Sequence, residues 1–348
     1  MLKKSSVFAM MASILIFTGC SSQTQTSTNT ETAEGSSNTP STSISGQLSF
    51  YTSQPEEDAT KLVQAFNVKY PDINVETFRS GTEEVTAKIQ AEKQAGQVQA
   101  DVLLLADSVT FEHLKSQSLL MSYKSPERDQ IAADLMDPEG MYTGTKIIAT
   151  ILATNTDKVS SLPTSWQILT SEEAKDAAIM PSPLYSGAAA YNIGVFSRAD
   201  SFGWEFIEKL KTNNMAVIKG NGAVLKAVAS GEKNYGIVVD YMVAREKVKG
   251  SPIALSYPKE GVPIITEPIG IINNTDSTEA AKAFVDFVLS EDGQKIAAEI
   301  GYTPIRKGVA PPEGLKGISD LTLLSGDIAT LTSEREADKK HFTELFGN

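Results

Sequence analysis

Four places in the sequence bring a small polar or glycine residue to the point where a predicted strand ends and a helix begins. They lie near Ser53, Ser80, Ser186 and Gly222. A helix N-terminus presents unpaired backbone N–H groups and about half a positive charge, so each place could bind an anion. Each could equally be an ordinary helix cap, and Ser53 and Ser80 both fit the capping-box pattern. If several of these termini faced one cleft, they would form a site for an anionic ligand.

The residues needed for several other kinds of chemistry are scarce. The chain has two histidines, His113 and His341, and one cysteine, Cys20, which leaves little room for a histidine-rich metal site or a catalytic triad. It contains no G-x-S-x-G, H-E-x-x-H or P-loop motif. The turn at 220–222 begins like a dinucleotide-binding motif, but Leu225 stands where the third glycine is needed. We therefore predict neither an enzyme active site nor a cofactor.

The composition bounds the class of protein. The net charge is −12 and the isoelectric point is near 4.8, which argues against a nucleic-acid partner because a phosphate backbone needs a basic surface. Hydrophobic residues make up 41% of the chain and charged residues 21%, as is usual for a globular protein with a proper core. A length of 348 residues favours two lobes over one small domain.

Residues 1–20 have the features of a secretory signal peptide. Two lysines precede an apolar run from Val7 to Phe17, which is too short to span a bilayer. The run leads into Thr18-Gly19-Cys20, and this ending resembles a lipobox, in which a cysteine is lipidated and becomes the new N-terminus. Leucine is usual at the position of Phe17. We expect lipidation at Cys20, and a signal peptide without lipidation is the alternative.

Residues 21–45 predict a disordered tether. Fifteen of these 25 residues are serine or threonine, so the segment has almost nothing to bury. An acidic body is not attracted to anionic lipid headgroups, so acyl chains on Cys20 would have to supply the membrane anchor. We expect the protein outside the cytoplasm, on the outer face of the membrane of a Gram-positive cell.

After the tether, strands alternate with amphipathic helices. The first three predicted strands end near 52–54, 79–83 and 106–108. Strand–turn–helix units in succession indicate a doubly wound sheet, whose ligands lie beyond the carboxyl ends of the strands. The pattern repeats from 178 to 241, which predicts a second lobe.

Two extended apolar segments, Ile147–Thr154 and Pro263–Ile272, could join the lobes and permit hinge bending. The predicted organisation is lobe 1 at 46–150 and 266–312, lobe 2 at 151–265, and a C-terminal helical segment at 313–348 that packs on lobe 2.

Several motifs occur in an order that matches a known family. They are Tyr51-Thr52-Ser53-Gln54, Ala100-Asp101-Val102, Ser186-Gly187-Ala188, residues 221–228 with Gly231-Glu232, Asp240-Tyr241 and residues 301–305. With the lipobox and the tether, they make the chain similar to the solute-binding proteins of ABC transporters. Within that class it resembles the ferric-ion-binding branch of the type II periplasmic-binding fold, which also includes binders of 2-aminoethylphosphonate, phosphoglycerate and hexose phosphates. The resemblance covers about residues 47–310. It implies an α/β fold of two doubly wound lobes joined by a hinge of two crossovers.

The resemblance divides into an anion half and a metal half. In ferric binders of this family, a Ser-Gly-Ala turn and an asparagine hold an anion, and residues 186–188 with Asn221 match them. The same proteins hold iron with two consecutive tyrosines and, in many members, a histidine and a glutamate. Tyr241 matches the first tyrosine, but Met242 stands at the second and Pro55 at the histidine. Fe³⁺ needs several anionic oxygens.

If iron were bound, Tyr241, Asp240 and Asp107 would be its ligands, so a ferric-iron-binding protein of the same fold stays an alternative. No resident metal is predicted otherwise. A lipid-anchored phosphate-ester hydrolase is a further alternative, but the sequence shows no cluster of nucleophile or metal ligands for it.

The anion half implies a small anionic solute, for which we favour an organophosphonate or a phosphate ester. Arg79 would be a bidentate partner of its oxygens or a solvated surface residue. Asp240 would accept a hydrogen bond from an ammonium or a sugar hydroxyl, or would cap the following helix. The full set of expected ligand-binding residues is Ser53, Gln54, Arg79, Ser80, Gly81, Thr82, Asp107, Ser108, Ser186, Gly187, Ala188, Asn221, Gly222, Asp240 and Tyr241.

The mechanism that the resemblance implies has no covalent step. A monomer would close its lobes on the solute and deliver it to a membrane permease that a cytoplasmic ATPase drives. The solute would favour the closed state through its higher affinity for that state.

Overall fold

The computed structural model of the protein describes residues 44–347. The predicted signal peptide, the lipidation site Cys20 and the tether up to residue 43 lie outside the described residues. Within 44–347, no helix combines the length and the apolar character needed to cross a membrane.

The described residues form a mixed α/β structure. Its strands are β1 (Gly46–Thr52), β2 (Ile73–Arg79), β3 (Val102–Leu104), β4 (Leu120–Met121), β5 (Lys146–Asn155), β6 (Ala178–Pro181), β7 (Ala216–Ile218), β8 (Tyr235–Val239), β9 (Ile253–Ser256), β10 (Val262–Ile265), β11 (Ile269–Ile272), β12 (Thr303–Pro304) and β13 (Leu323–Leu324). Its α-helices are α1 (Glu56–Lys69), α2 (Thr82–Gln94), α3 (Ser108–Ser116), α4 (Gly187–Arg198), α5 (Gly203–Thr212), α6 (Asn221–Ala229), α7 (Asp240–Val248), α8 (Thr278–Leu289), α9 (Glu291–Ile300) and α10 (Ile328–Phe346).

The strands form two sheets, which we use to define lobe 1 and lobe 2. The sheet of lobe 1 has the order β2-β1-β3-β11-β4, with β1 parallel to both β2 and β3 and with β11 antiparallel to its neighbours. The sheet of lobe 2 has the order β13-β10-β5-β8-β6-β7, with β9 and β12 also paired to β5. In lobe 2, β6 runs parallel to β7 and β8. The chain therefore builds two separate sheets from strand–helix units, as the sequence predicts.

Each lobe has its own apolar core. Phe50, Phe66 and Phe284 pack ring against ring in lobe 1, with centroids 4.8 to 4.9 Å apart. In lobe 2, the fully buried Trp166 meets Phe196 edge to face, with centroids 5.2 Å apart. Aromatic pairs of this kind add to the free energy gained by burying apolar surface. The cores explain how each lobe can keep its shape while the connection between them bends.

The chain crosses from one sheet to the other three times, from β4 to β5, from β10 to β11 and from β11 to β12. The first two crossovers lie at neighbouring points. Thr143 pairs with Ile269, and the backbone N–H groups of Thr145 and Lys146 both donate to the carbonyl of Thr266. The segment predicted as a crossover at 147–154 is instead the interior of β5, and all ten residues of β5 are buried in lobe 2. The crossovers are therefore shorter than the apolar pattern suggested, because β5 pairs with strands of lobe 2 along its whole length.

Two of the predicted helix caps are wrong. The serine Ser53 accepts a hydrogen bond from the N–H of Ala106, and α1 begins three residues later, after Pro55. Ser80 donates to the carboxylate of Glu84, and α2 begins after Gly81. In both cases the backbone N–H of the serine still bonds to the neighbouring strand, so the helix starts later.

The C-terminal helix α10 contacts both lobes. It packs on α4 and α5 of lobe 2, where Arg198 pairs with Asp338 at 2.6 Å, and also on α3 of lobe 1. Its Arg335, 10% exposed, lies 2.7 Å from Glu83 and 3.1 Å from Asp107 of lobe 1. Burial alone would raise the pKa of Glu83, but Arg335 and Lys339 together hold it below its ordinary value. The helix thus links the two lobes by buried ion pairs, beyond the predicted packing on lobe 2.

We predict that Arg335→Leu lowers the free energy of unfolding by about 3–5 kcal/mol, because it leaves the buried Asp107 without its cation and Glu83 with Lys339 alone. The matched control is Lys340→Leu on the same helix, since the Lys340 side chain is 79% exposed. Urea denaturation measures the free energy of unfolding of both variants. The loss should shrink as the pH falls through the lowered pKa of Glu83, where that carboxylate becomes neutral. An equal, small loss in both variants would contradict the linking role of α10.

Candidate functional site

A cavity of about 290 Å³ lies between the lobes. Nine of the predicted ligand-binding residues line it: Ser53, Arg79, Gly81, Thr82, Ser186, Ala188, Asn221, Gly222 and Tyr241. Eleven lining residues were not predicted: Pro55, Ala106, Ile148, Tyr185, Lys219, Gly220, Ala223, Val239, Met242, Ile265 and Glu267. Most of the nine predicted lining residues lie at strand ends or helix starts. A doubly wound sheet binds its ligand at these places.

Residues from all four predicted helix starts reach this cavity. The starts of α1 and α2 come from lobe 1, and the starts of α4 and α6 come from lobe 2. Ser186 caps α4 by accepting a hydrogen bond from Ala189 N–H at 3.3 Å, as predicted. The amide of Asn221 donates to Ser186 Oγ at 3.3 Å, which ties the starts of α4 and α6 together. The cavity is therefore surrounded by the positive ends of several helices.

Two cationic side chains also line the cavity near its rim. The Nε of Arg79 donates to the carbonyl of Gln54 at 2.6 Å. Lys219 pairs with Glu84 of lobe 1 at 2.9 Å, and its ammonium lies 4.6 Å from the ring centre of Tyr185. Arg79 adds positive potential to the mouth of the cavity, whereas the charge of Lys219 is balanced by Glu84. In the sequence, little marks Lys219 as a cavity residue beyond its place before the glycine turn at 220–222.

The lobes touch beside the cavity through backbone atoms. Glu83 N–H of lobe 1 donates to the carbonyl of Tyr185 of lobe 2 at 3.3 Å. A Cβ on Gly81 would lie 2.5 Å from that same carbonyl, and a Cβ on Gly187 would lie 2.5 Å from the carbonyl of Ala106. Only residues without a side chain permit this approach, so the two glycines let the lobes close.

Several predicted ligand-binding residues do not line the cavity. They are Gln54, Ser80, Asp107, Ser108, Gly187 and Asp240. Gly187 instead forms the contact between the lobes, and Ser80 bonds to Glu84. Ser108 is the first residue of α3, and Gln54 is buried behind the cavity beside Lys146.

The predicted iron ligands are not brought together. Asp107 caps α3 through Thr110 N–H and faces Arg335, a partner 228 residues away in the sequence. Asp240 accepts hydrogen bonds from the N–H groups of Ala149 and Tyr241. Of the three, only Tyr241 lines the cavity. Burial raises the pKa of Tyr241, so its hydroxyl is neutral at physiological pH.

We predict that Gly187→Ala keeps the lobes apart, because the added methyl would meet the carbonyl of Ala106. Gly222→Ala is the matched control, since a Cβ there meets no atom within 4 Å. Pulsed electron spin resonance between labels at the exposed residues Lys93 and Lys211 measures the distance between the lobes. A distance in Gly187→Ala that matches the wild type and the control would contradict the prediction.

Asp240 gives a pH-dependent prediction. Burial raises its pKa to about 7, against an ordinary value of 3.8. The folded state therefore holds the proton more tightly than the unfolded state, and stability falls as the pH rises from about 4 through 7. We expect Asp240→Asn to remove this fall, because the amide does not ionise. Urea denaturation from pH 4 to pH 7 measures how the free energy of unfolding changes with pH. The control is Asp157→Asn, at an exposed position. Parallel pH profiles for Asp240→Asn and wild type would refute it.

Known protein structures share the fold described above. The chain is similar in structure to the periplasmic binding protein AfuA of Actinobacillus pleuropneumoniae, solved with exogenous fructose-6-phosphate bound. The TM-score is 0.79 at 25% identity, over 86% of this chain and 98% of that one. The fold of the present chain is that of the type II periplasmic binding proteins.

Two sequence relatives are also described as binding proteins. A putative 2-aminoethylphosphonate-binding periplasmic protein of Salmonella typhimurium is 24% identical over 64% of this chain and 67% of its own. An Fe(3+)-binding periplasmic protein of Serratia marcescens is 24% identical over 82% of this chain and 86% of its own. The family model for bacterial extracellular solute-binding proteins matches residues 99–320. This match spans more than half of the chain. The chain therefore belongs to the family of bacterial extracellular solute-binding proteins.

Proposed function

We propose that the protein is the solute-binding component of an ABC importer and that its solute is a small organophosphonate or phosphate ester. One observation carries the proposal, namely that residues from four helix starts surround a single cavity between the lobes. Backbone N–H groups at helix starts suit tetrahedral oxyanions, because they offer several donors without a counter-charge that must be desolvated.

The relatives support this class of solute. AfuA was solved with a sugar phosphate bound, and the Salmonella relative is named for a phosphonate. In this chain, Ser186, Asn221 and Thr82 would donate to the oxygens of the anionic group. Arg79, an exposed residue, would approach it from the rim.

The protein would function by closing its two lobes on the solute, and no chemical step would be needed. Solute that contacts both lobes favours the closed state by its differential affinity for that state. The contact of Gly81 and Gly187 with the opposite lobe supports such a closed state. The closed protein would then dock on a membrane permease driven by a cytoplasmic ATPase. We further propose that it acts as a monomer and not as an enzyme, held by lipid on Cys20 to the outer face of a Gram-positive membrane.

Ferric iron is the second candidate, since the Serratia relative is named for Fe(3+). It would require the phenolate of Tyr241, whose pKa burial raises, together with further anionic oxygens. The predicted ligands Asp107 and Asp240 do not line the cavity, and the carboxylate in the lining, Glu267, is paired with Lys146. An iron complex of this kind would absorb visible light through charge transfer from Tyr241, and Tyr241→Phe would abolish that absorption. A colourless mixture with Fe³⁺ would dismiss this candidate.

We predict that phosphonates and phosphate esters bind and that Asn221→Asp weakens their binding at least ten-fold. The new carboxylate keeps the size of the amide but repels an anion in the cavity. The control is Asn274→Asp, an exposed residue outside the cavity lining, which makes the same change in net charge. Isothermal titration with 2-aminoethylphosphonate, phosphoglycerate and hexose phosphates measures the affinities.

A thermal-unfolding screen with the same compounds and a ferric complex gives an independent readout. A solute at 100 times its Kd stabilises the fold by about 2.7 kcal/mol, which is visible as a rise of the midpoint. If no phosphorus compound moves the midpoint and the ferric complex does, the iron candidate replaces the proposal.

A further inference from the structure

The aromatic ring of Tyr185 lies across the mouth of the cavity. Tyr185 lines the cavity and comes just before Ser186, the cap of α4 in lobe 2. A Cβ on Gly81 of lobe 1 would lie 2.6 Å from Cε2 of this ring, and a Cβ on Gly220 of lobe 2 would lie 2.9 Å from Cε1. Because these two carbons are on opposite edges of the ring, the ring spans the gap between the lobes.

The two faces of the ring have different surroundings. The ammonium of Lys219 lies 4.6 Å from the ring centre, and the Lys219 side chain is 65% exposed. The face that Lys219 covers is therefore turned toward solvent, which leaves the opposite face toward the cavity. Glu84 of lobe 1 pairs with the same ammonium at 2.9 Å, so this ion pair crosses from one lobe to the other outside the ring.

The absence of a side chain at Gly220 makes room for the ring. Gly220 has a φ of −165°, an extended conformation that any residue adopts, so backbone geometry does not require glycine there. Apart from its chain neighbours, the only atoms of the described residues within 4 Å of a Cβ at Gly220 belong to the ring of Tyr185. Gly81, with a φ of −66°, has no backbone need for glycine either. The two glycines therefore form a seat for one aromatic ring.

The contacts of the ring allow it to leave this seat. The ring rests on Gly81 by van der Waals contact, in which each pair of atoms contributes little. The ion pair of Lys219 and Glu84 is exposed on both sides, and exposed pairs hold weakly. Because Tyr185 belongs to lobe 2, separation of the lobes carries the ring away from Gly81 and uncovers the cavity.

We propose that the ring of Tyr185 is a gate that limits access to the cavity in the free protein and the escape of bound solute. This inference rests on the proposed function for its consequence, since a solute-binding protein has to keep its solute until it meets the permease. Differences in affinity among related complexes lie mostly in the dissociation rate, and lids commonly set the rate of release. A closed gate also excludes water, which strengthens the electrostatic contacts of the solute inside.

Access to the cavity can be measured without a solute. Ala188 lines the cavity and is 6% exposed, so Ala188→Cys in a full chain with Cys20→Ser places the only thiol there. The rate at which methyl methanethiosulfonate modifies this thiol, followed by mass spectrometry, reports how freely the cavity is reached. We expect Tyr185→Ala to raise this rate at least ten-fold, and Tyr185→Phe, which keeps the ring, to change it less than three-fold.

The control thiol is Ser319→Cys, at an exposed position outside the cavity lining. Its modification rate should be the same with and without the ring of Tyr185, and thermal unfolding checks that each variant is folded. Tyr185→Ala keeps the carbonyl that accepts from Glu83 N–H, so the backbone contact between the lobes remains. If Tyr185→Ala leaves the rate at Ala188→Cys unchanged, the ring does not gate the cavity.

Gly220→Ala displaces the ring without removing it, because its Cβ would lie 2.9 Å from Cε1 of Tyr185. We expect it to raise the modification rate at Ala188→Cys at least three-fold, and to add nothing further once Tyr185→Ala is present. Gly222→Ala is the matched control, since its Cβ meets no atom within 4 Å. A rise of equal size with and without the ring would overturn the contact with Tyr185 as its cause.

Release of solute gives a second readout and separates this inference from the proposed function. Radiolabelled 2-aminoethylphosphonate or glucose 6-phosphate, chased with an excess of unlabelled compound, gives the dissociation rate, which Tyr185→Ala should raise at least ten-fold. If neither compound binds while the thiol rates behave as expected, the proposed solute class fails and the gate stands. If either compound binds and Tyr185→Ala leaves its release rate unchanged, the gate is wrong and the proposed function stands.

Discussion

The buried ion pair of Lys146 and Glu267 stands where the two lobes join, and much of the structure is arranged around it. Lys146 begins β5 of lobe 2, and Glu267 lies just before the strand that returns to lobe 1. The hydroxyl of Thr145 donates to the carbonyl of Glu267 at 2.7 Å, so side-chain and backbone bonds hold the two crossovers together. Any opening of the cavity has to bend the chain at these few residues and at the third crossover, between β11 and β12.

A second set of polar contacts surrounds this junction on the side away from the cavity. The carboxylate of Asp58 in α1 accepts from Arg245 of α7 at 2.8 Å and from the hydroxyl of Tyr302 at 2.8 Å. The ring of Tyr302 also lies 4.7 Å from the ammonium of Lys146. Buried charges are costly to desolvate, and they persist where several partners share them. Together with the ion pairs of α10, these contacts fasten the lobes at points well apart in the sequence.

Local sequence signals were sufficient to predict the helices and strands but not which elements they contact. The strands at 216–218 and 235–239 lie in the stretch 178–241, where the sequence predicts a second run of strand–helix units, and Ser186 caps its helix as expected. The cap predictions at Ser53 and Ser80 failed because the backbone N–H of each serine still bonds to a neighbouring strand, which delays the start of the helix. A local pattern contains no information about that neighbour.

The site residues show the same limit. Residues at strand ends, such as Arg79 and Asn221, could be placed near a ligand from the general rule for doubly wound sheets. Asp107 obeys that rule equally well but turns away, because Arg335 approaches it from the other end of the chain. Glu267 was missed because nothing in Thr266-Glu267-Pro268 marks a crossover, and a positive φ cannot be recognised from a glutamate.

An acidic protein can bind an anion if its carboxylates are neutralised where they come near the cavity. Glu83 and Asp107 share Arg335 and Lys339, Glu84 pairs with Lys219, and Glu267 pairs with Lys146. Each of these groups is close to neutral as a unit, whereas the helix starts keep their partial positive charge. At physiological ionic strength, charges more than about 8 Å away across solvent are screened. The potential inside the cavity therefore follows the nearest few groups, and the net charge of −12 describes mainly the outer surface.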